Sequence, residues 1–434
     1  MRKILIVLFT ISFLGLNAQN NLVNLNEAIK LGVENSRSLQ MSKARADVGE
    51  AKYNELKYGQ IPSVKLSASY TRLSDIEPFK IPVAGRSEPV VLFPVLVNSY
   101  NTRVSVSEPI FAGFRAKQLL QSGEFLEKAL KLDYEKDKNE VILNIINAYY
   151  NLYKLNISTA LLDENQKQIE SHLKDIKNYE AAGLATKNDV LKVQIQLSNV
   201  ELSKLDMQNS RDVVVYNLGI MLGKDRPTID TTGIFSTHTL RELDFYQQEA
   251  LNKRNEIKSA DFRSKSAQSG VKIAKGNYYP LVTVGANYYY ANPNPRVVPP
   301  KDQFTGTWDA GINLTYDLTG LYTNKHVLGE ARAQAMEAQA GYEQLSDIVK
   351  MEVNQNYLAC KQSQEKINLA KSTILQAEEN YRIINIRFNE HVALLSDLLD
   401  ANVALLQAKM NLSIAKADAE VAYSKLLKSS GILQ

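Results

Sequence analysis

The sequence predicts an α+β membrane protein whose chain is internally duplicated. Each copy holds a helix, a β-hairpin and a long helical pair, so that four transmembrane β-strands are contributed to a β-barrel shared between copies, beside long coiled-coil helices. Three observations predict it. Sliding the second half over the first by 218 positions superposes Leu39 on Ile257, Lys57 on Lys275, Pro62 on Pro280 and Tyr70 on Tyr288; an offset of 208 then superposes Tyr100 on Trp308, Val106 on Leu314, Leu161 on Leu369 and Asp189 on Asp397. Proline is missing from residues 110–226 and from every position after 300, leaving two tracts in which long helices can run. Four short segments alternate apolar and polar residues with the period of a strand.

The chain opens with Arg2 and Lys3, an apolar run from Ile4 to Leu16, and Asn17-Ala18-Gln19, the pattern of an export signal over residues 1–19. That run is shorter than the roughly 18 apolar residues a spanning helix needs, and no later stretch reaches that length. The remainder divides into a first repeat at 20–220, a linker or equatorial segment at 221–247 and a second repeat at 248–434. The ten-residue change of offset falls between Tyr70 and Tyr100, where a surface loop absorbs length at little cost.

The strands read Val64, Leu66, Ala68 and Tyr70; Tyr100, Val104 and Val106; Val282, Val284, Ala286, Tyr288 and Tyr290; and Trp308, Ala310, Ile312, Leu314 and Tyr316, each alternating with polar or small residues. A half-buried soluble sheet gives the same alternation. Aromatic placement favours a bilayer: with each pair folded as a hairpin, Tyr70, Tyr100, Tyr288, Tyr290 and Trp308 gather at the loop end and Tyr316 marks the other, as girdles at two membrane interfaces do. Val104, Val284, Ile312 and Leu314 are then lipid-facing, with Ile312 near mid-membrane, and the loops 74–98 and 293–304 face the exterior. Open strand edges are forbidden in lipid, so several copies must share one barrel.

Within the helical tracts, Leu398, Ala401, Leu405, Ala408, Leu412, Ala415, Ala419, Ala422 and Leu426 step by 3 and 4, as do Leu328, Ala331, Ala335, Ala338, Tyr342, Leu345 and Val349. That period argues coiled-coil packing, with alanines allowing close approach. An ordinary helical bundle has the same period, but a helix from Phe114 to Tyr179 would be on the order of 100 Å long and would span a space rather than enclose a core. The turns between paired helices fall at 179–190 and 388–398; Gly183 suits a helix C-terminus, and Thr186 or Asn188 an N-cap.

Without Arg2 and Lys3 the formal charge falls by two, from +4 to +2, and the charges are interspersed, so no face for nucleic acid emerges. The four histidines never reach ligand spacing, and the single cysteine, Cys360, has no disulfide partner. There is no phosphate loop, nucleophile elbow or paired-carboxylate pocket, so neither catalysis nor a cofactor is expected.

Four features stand out: Gly183-Leu184-Ala185-Thr186-Lys187-Asn188-Asp189-Val190-Leu191, the related Ser396-Asp397-Leu398-Leu399-Asp400-Ala401, Pro62 and Pro280 opening their strands, and Glu108-Pro109-Ile110-Phe111-Ala112-Gly113 closing the second strand. In these residues, and over nearly its whole mature length, the chain resembles the TolC-like outer membrane efflux proteins. The resemblance implies a homotrimer embedded in outer membrane lipid, with a trimeric barrel and a periplasmic α-helical tunnel. It implies a passive exit duct of a tripartite efflux pump, served by a periplasmic adaptor (membrane fusion protein) and an inner-membrane pump of RND or ABC type. The outer membrane channel of a type I protein secretion system is the related alternative, and a soluble periplasmic coiled-coil scaffold the alternative of a different class.

By the same resemblance the tips form the entrance, with Asp397 and Asp400 as acidic rings; a helix N-cap at Asp397 and a solvated charge at Asp400 is the plain alternative. The positions matching the family's tyrosine and arginine latch are Phe388 and Ala393, and Val392 stands where a glycine is usual. Asp189, Lys187 and Arg387 are the substitute latch candidates. Gly183, Leu184, Ala185, Thr186, Val392, Ala393, Leu394 and Leu395 are the expected adaptor-docking surface, apolar for a tip in water.

Overall fold

The computed structural model describes residues 22–93, 95–230, 235–236 and 238–433. The expected export signal and Pro94 lie outside them. In chain order the elements are β1 (Leu22–Val23), α1 (Leu25–Asn35), α2 (Arg37–Tyr58), β2 (Ser63–Arg72), β3 (Lys80–Ile81), β4 (Val90–Val91), β5 (Asn98–Phe111), α3 (Arg115–Ala181) and α4 (Lys187–Leu222). Then follow β6 (Thr228–Ile229), α5 (Leu243–Lys253), α6 (Asn255–Gly276), β7 (Leu281–Asn292), β8 (Thr305–Thr315), α7 (Gly320–Asn389) and α8 (Leu395–Ser429). No helix among the described residues is long and apolar enough to cross a membrane.

The duplication is visible element by element. Helices α1 and α2 and strand β2 recur as α5, α6 and β7 with their first residues displaced by 218, and α4 recurs as α8 displaced by 208. Helix α5 begins at Leu243, inside the segment expected as linker up to 247, because Tyr246 and Ala250 have a core to enter and start the helix one turn earlier. The described residues split into two compact units, and each draws on both repeats: those within 22–42, 134–255 and 347–433 in one, those within 43–133 and 256–346 in the other.

Two large apolar cores hold the helices of the first unit, with a smaller cluster of Ala377, Leu405 and Ala408 beside them. One gathers Ile145, Tyr149, Leu152, Leu218 and Leu222 beneath a parallel pairing of β1 with β6. The Tyr149 hydroxyl, buried there, donates to the Asp230 carbonyl at 2.6 Å, and burial pushes its pKa up to about 12. Gly32 packs closely beside it: a Cβ there would stand 2.2 Å from Ile145 Cδ1, which would have to move aside. The second core joins the ends of four helices: Ile169 and Ile176 of α3, Val190 and Val193 of α4, Phe388 of α7, and Leu395 and Leu398 of α8. The seam on α8 follows the expected stepping through Leu398, Ala401, Leu405 and Ala408, all buried, and meets it again at the buried Leu426, while Ala417 is buried between them off that stepping.

The second unit carries a four-stranded antiparallel sheet in the order β2-β5-β7-β8. At its foot Gly113 turns from β5 toward α3 with φ +61°, and a Cβ there would lie 2.3 Å from the Gly276 carbonyl oxygen. A side chain is therefore excluded by conformation and by space.

Candidate functional site

The sheet register sorts the strands into two faces. Residues opposed across the strands share a face. One face stacks the rows Tyr70–Tyr100, Ala68–Thr102–Tyr290, Leu66–Val104–Tyr288–Trp308, Val64–Val106–Ala286–Ala310, Val284–Ile312 with Glu108, and Phe111–Val282–Leu314. The other carries Lys65, Ser105, Asn287 and Asp309 in one row and Ser67, Arg103, Tyr289 and Thr307 in the next. The apolar face is uncovered: Leu66 is 73% exposed, Trp308 75% and Ile312 74%. The polar face is concave and bounds an open space of about 650 Å³ lined by Ser63, Lys65, Ser67, Arg103, Ser105 and Asn287.

Val104, Val284, Ile312 and Leu314 all lie on the apolar face. Ile312 is not at the middle of it, however. Its row is level with Glu108 and next to the Phe111–Val282–Leu314 row, so it stands near the foot of the sheet; Val104 and Val106 are central.

The aromatic residues form a deeper band than expected. Tyr70 and Tyr100 pair at 5.0 Å between ring centroids, Phe304 adds to Tyr100 and to Tyr290, while Tyr288 and Trp308 sit two rows inward, level with Val104. Tyr316 follows the last residue of β8. At the foot, Phe111, Phe114 and Tyr279 pack edge to face at 5.6 to 6.3 Å, a cluster that strand alternation did not reveal because Phe114 and Tyr279 lie outside the strands.

The two helical tips are one backbone motif made twice. In the first, Gly183 takes φ +78°, its N–H donates to the Glu180 carbonyl and the Leu184 N–H to that of Tyr179; in the second, His391 takes φ +62°, its N–H donates to Phe388 and that of Val392 to Arg387. The counterpart of Gly183 is thus His391, one residue before the expected Val392, and it adopts the left-handed conformation despite carrying a side chain.

The caps diverge. Thr186 caps α4: its Oγ1 and its backbone N–H donate to Asp189 Oδ2 at 2.7 and 3.0 Å, and Asp189 N–H donates back to Oγ1. These bonds hold the Asp189 carboxyl below the usual range, led by the one from the Thr186 hydroxyl. Its counterpart Asp397 accepts the Leu394 N–H at 3.3 Å, but Leu394 has no oxygen with which to return the bond. Asp397 is therefore a cap with one oxygen left over, and Asp400 lies one turn on, also exposed; neither has a cationic partner among the described residues. The counterpart of Asp400 is Lys192, 3.6 Å from Asp189.

The other expected tip residues separate by burial. Leu184 (67% exposed), Val392 and Leu394 (69%) point to water, Gly183 and Thr186 are exposed, and Ala185 and Ala393 are half-buried against the tip core. Leu395 is only 7% exposed, which corrects its assignment to a docking surface: as the first residue of α8 it packs into the same core as Leu398 and Phe388. Phe388, the position matching the tyrosine of the latch, is likewise buried in that core and lies 6.4 Å from the Tyr179 ring. Lys187 lies 3.8 Å from Glu180, and Arg387 is exposed with no carboxylate partner among the described residues.

Among the described residues no group of His, Cys, Asp and Glu side chains could hold a metal ion, and Cys360 is buried, its thiol pushed up to about 11 by that burial.

Against known proteins, the model of the outer membrane efflux protein family matches residues 28–224 and 247–431. The outer membrane protein TolC of Salmonella enteritidis is 20% identical over 426 residues, covering 96% of this chain and 83% of that protein. The probable efflux pump outer membrane protein TtgC of Pseudomonas putida is 21% identical over 397 residues, covering 90% and 78%. Among solved structures, the outer membrane protein VceC of Vibrio cholerae superposes with a TM-score of 0.77 at 21% identity, covering 94% of this chain and 96% of that one.

Proposed function

Because the chain belongs to the outer membrane efflux protein family, it is an outer membrane exit duct, and we propose that three copies complete one barrel and one helical tunnel. The observation that supports this reading is the sheet, with one face apolar and uncovered, the other polar and concave, and both edge strands unpaired among the described residues. Edges cannot remain open in lipid. Since the four strands alternate in direction, β8 of one copy meets β2 of the next antiparallel, and the ring closes without a change of pattern. Two copies of the four strands would give a barrel of about eight, which side chains fill; three give about twelve and leave a lumen.

The helices support the same assembly. Helix α4 exposes Leu191, Ile195, Leu202, Leu205, Tyr216 and Ile220, and α7 exposes Met351, Leu358, Leu369 and Leu375. Large apolar stripes of this kind are the seams of neighbouring subunits.

At the tips, Leu184, Val392 and Leu394 offer the apolar contact for a periplasmic adaptor, framed by Gly183, Ala185, Thr186 and Ala393. An inner-membrane pump then supplies the energy that a passive duct does not. Asp397 and Asp400 line the entrance as stacked carboxylate rings, and Arg387, the exposed unpaired cation, replaces the latch that Phe388 cannot make. Mass measurement in detergent tests the assembly: three chains are expected, and a stable soluble monomer overturns the reading.

A further inference from the structure

We propose that the polar face of the sheet is an anion-binding station built on Lys65 and Arg103, taking solutes that bear carboxylate, phosphate or sulfonate groups; the placement of this station inside the duct rests on the reading above. Arg103 is held in place without a direct salt bridge, with Asp309 acting on it across Asn287. Its Nε and Nη2 both donate to the neutral Asn287 Oδ1, at 3.1 and 2.7 Å, and its guanidinium lies over the Tyr289 ring at 5.3 Å. The only carboxylate on that face of the strands, Asp309, is already engaged: Asn287 Nδ2 donates to one oxygen at 2.7 Å and Arg296 pairs with the other. Arg296 in turn covers the opposite side of Tyr289 at 4.4 Å.

Lys65 is exposed and has no carboxylate partner among the described residues. It opposes Ser105, while Arg103 opposes Ser67, so the two cations stand on adjacent rows of one face, a diagonal separation of about 7–8 Å. Both line the 650 Å³ concavity, whose floor is hydroxyl-bearing: Ser67 and Ser105 share their rows and Ser63 lies one row beyond Lys65. Lys65 and Arg103, neither in a salt bridge and both over hydrogen-bond donors, with Asp309 reaching Arg103 only through Asn287 and paired directly with Arg296, form a receptor for a divalent or larger anion. Three cations, Lys65, Arg103 and Arg296, against the one anion, Asp309, leave a net +2 on the face of each chain. Anions crossing this stretch are attracted rather than repelled.

Pyranine trisulfonate is a suitable probe. Purified full-length protein in detergent is expected to bind it, as read by fluorescence anisotropy. The Lys65→Gln/Arg103→Gln pair is expected to weaken binding at least tenfold, Lys65→Arg to retain it, and 1 M salt to abolish it by screening. In planar bilayers, the same concentrations added on the side of the strand-joining loops are expected to block single-channel current in the wild type and not in the double Gln variant. A conducting channel that neither binds nor is blocked overturns the station and leaves the duct standing. Binding that the double variant retains also overturns it, and binding lost as expected in a protein that conducts nothing supports the station and overturns the duct.

Discussion

An arginine placed at Val106 tests which face of the sheet meets lipid. Tyr100 and Phe111 bound the apolar face of β5, eleven residues apart. At about 3.4 Å per residue and a tilt of about 40°, that interval is about 37 Å along the strand and about 28 Å along the membrane normal, close to the height of an apolar band. Val106, flanked in its row by Val64 and Ala286, is at the centre of that interval, whereas Ile312 is one row from the foot. Val106→Arg should therefore cost about 2–4 kcal/mol per chain, roughly 30- to 900-fold in the folding equilibrium, and Ile312→Arg distinctly less. Asn313→Arg, on the polar face opposite Thr283, should fold normally. Urea titrations of folding into liposomes, with the yield of heat-resistant trimer in outer membrane fractions, measure the series. Equal tolerance of Val106→Arg and Asn313→Arg, or a greater cost at Asn313, would refute the face assignment.

Four further outcomes are expected. Replacing Asp397 and Asp400 together by alanine should weaken cation selectivity and block by trivalent cations in planar bilayers without preventing trimer formation, since neither carboxylate has a cationic partner among the described residues. Leu394→Thr should complete the second cap as Thr186 completes the first, slowing hydrogen exchange in the first turn of α8 about fivefold for a gain of about 1 kcal/mol, with Thr186→Leu doing the reverse in α4. The folded-state pKa of Asp189 is depressed, so its contribution is present above the unfolded value of about 3.9 and lost as pH falls through the folded one; exchange in the first turn of α4 should quicken below about pH 4, and Asp189→Asn should remove that dependence. Gly113→Ala should destabilise the foot of the sheet by about 1–3 kcal/mol in a denaturant titration, because the obstructing atom is a backbone oxygen.

Much of the architecture was legible because it rests on periodicity. The 218 and 208 offsets predict α5, α6, β7 and α8 from their first-repeat counterparts, and strand alternation sorts Val104, Val284, Ile312 and Leu314 onto one face. What depends on register between distant segments was not legible. Neither alternation nor spacing says that Ile312 is level with Glu108, or that Trp308 is level with Val104 rather than with Tyr100. Burial of Leu395 and Phe388 arises from four helix ends meeting, while each residue alone looks like an apolar side chain in a turn. The shift of the left-handed position from Val392 to His391 was within reach, since the offset of 208 that aligns Asp189 with Asp397 also aligns Gly183 with His391.

One backbone motif carries different charge in its two occurrences: Asp189 has Lys192 beside it, and Asp397 has Asp400 in the equivalent place. A half-length ancestor with a single tip would have closed the same ring from six identical subunits, and every charge change would have appeared six times. Fusing two copies into one gene halves that symmetry. In the proposed trimer, three tips bearing the Asp189–Lys192 pair alternate with three bearing Asp397 and Asp400, so the charge of one kind of tip can change in steps of three while the other kind keeps its cap.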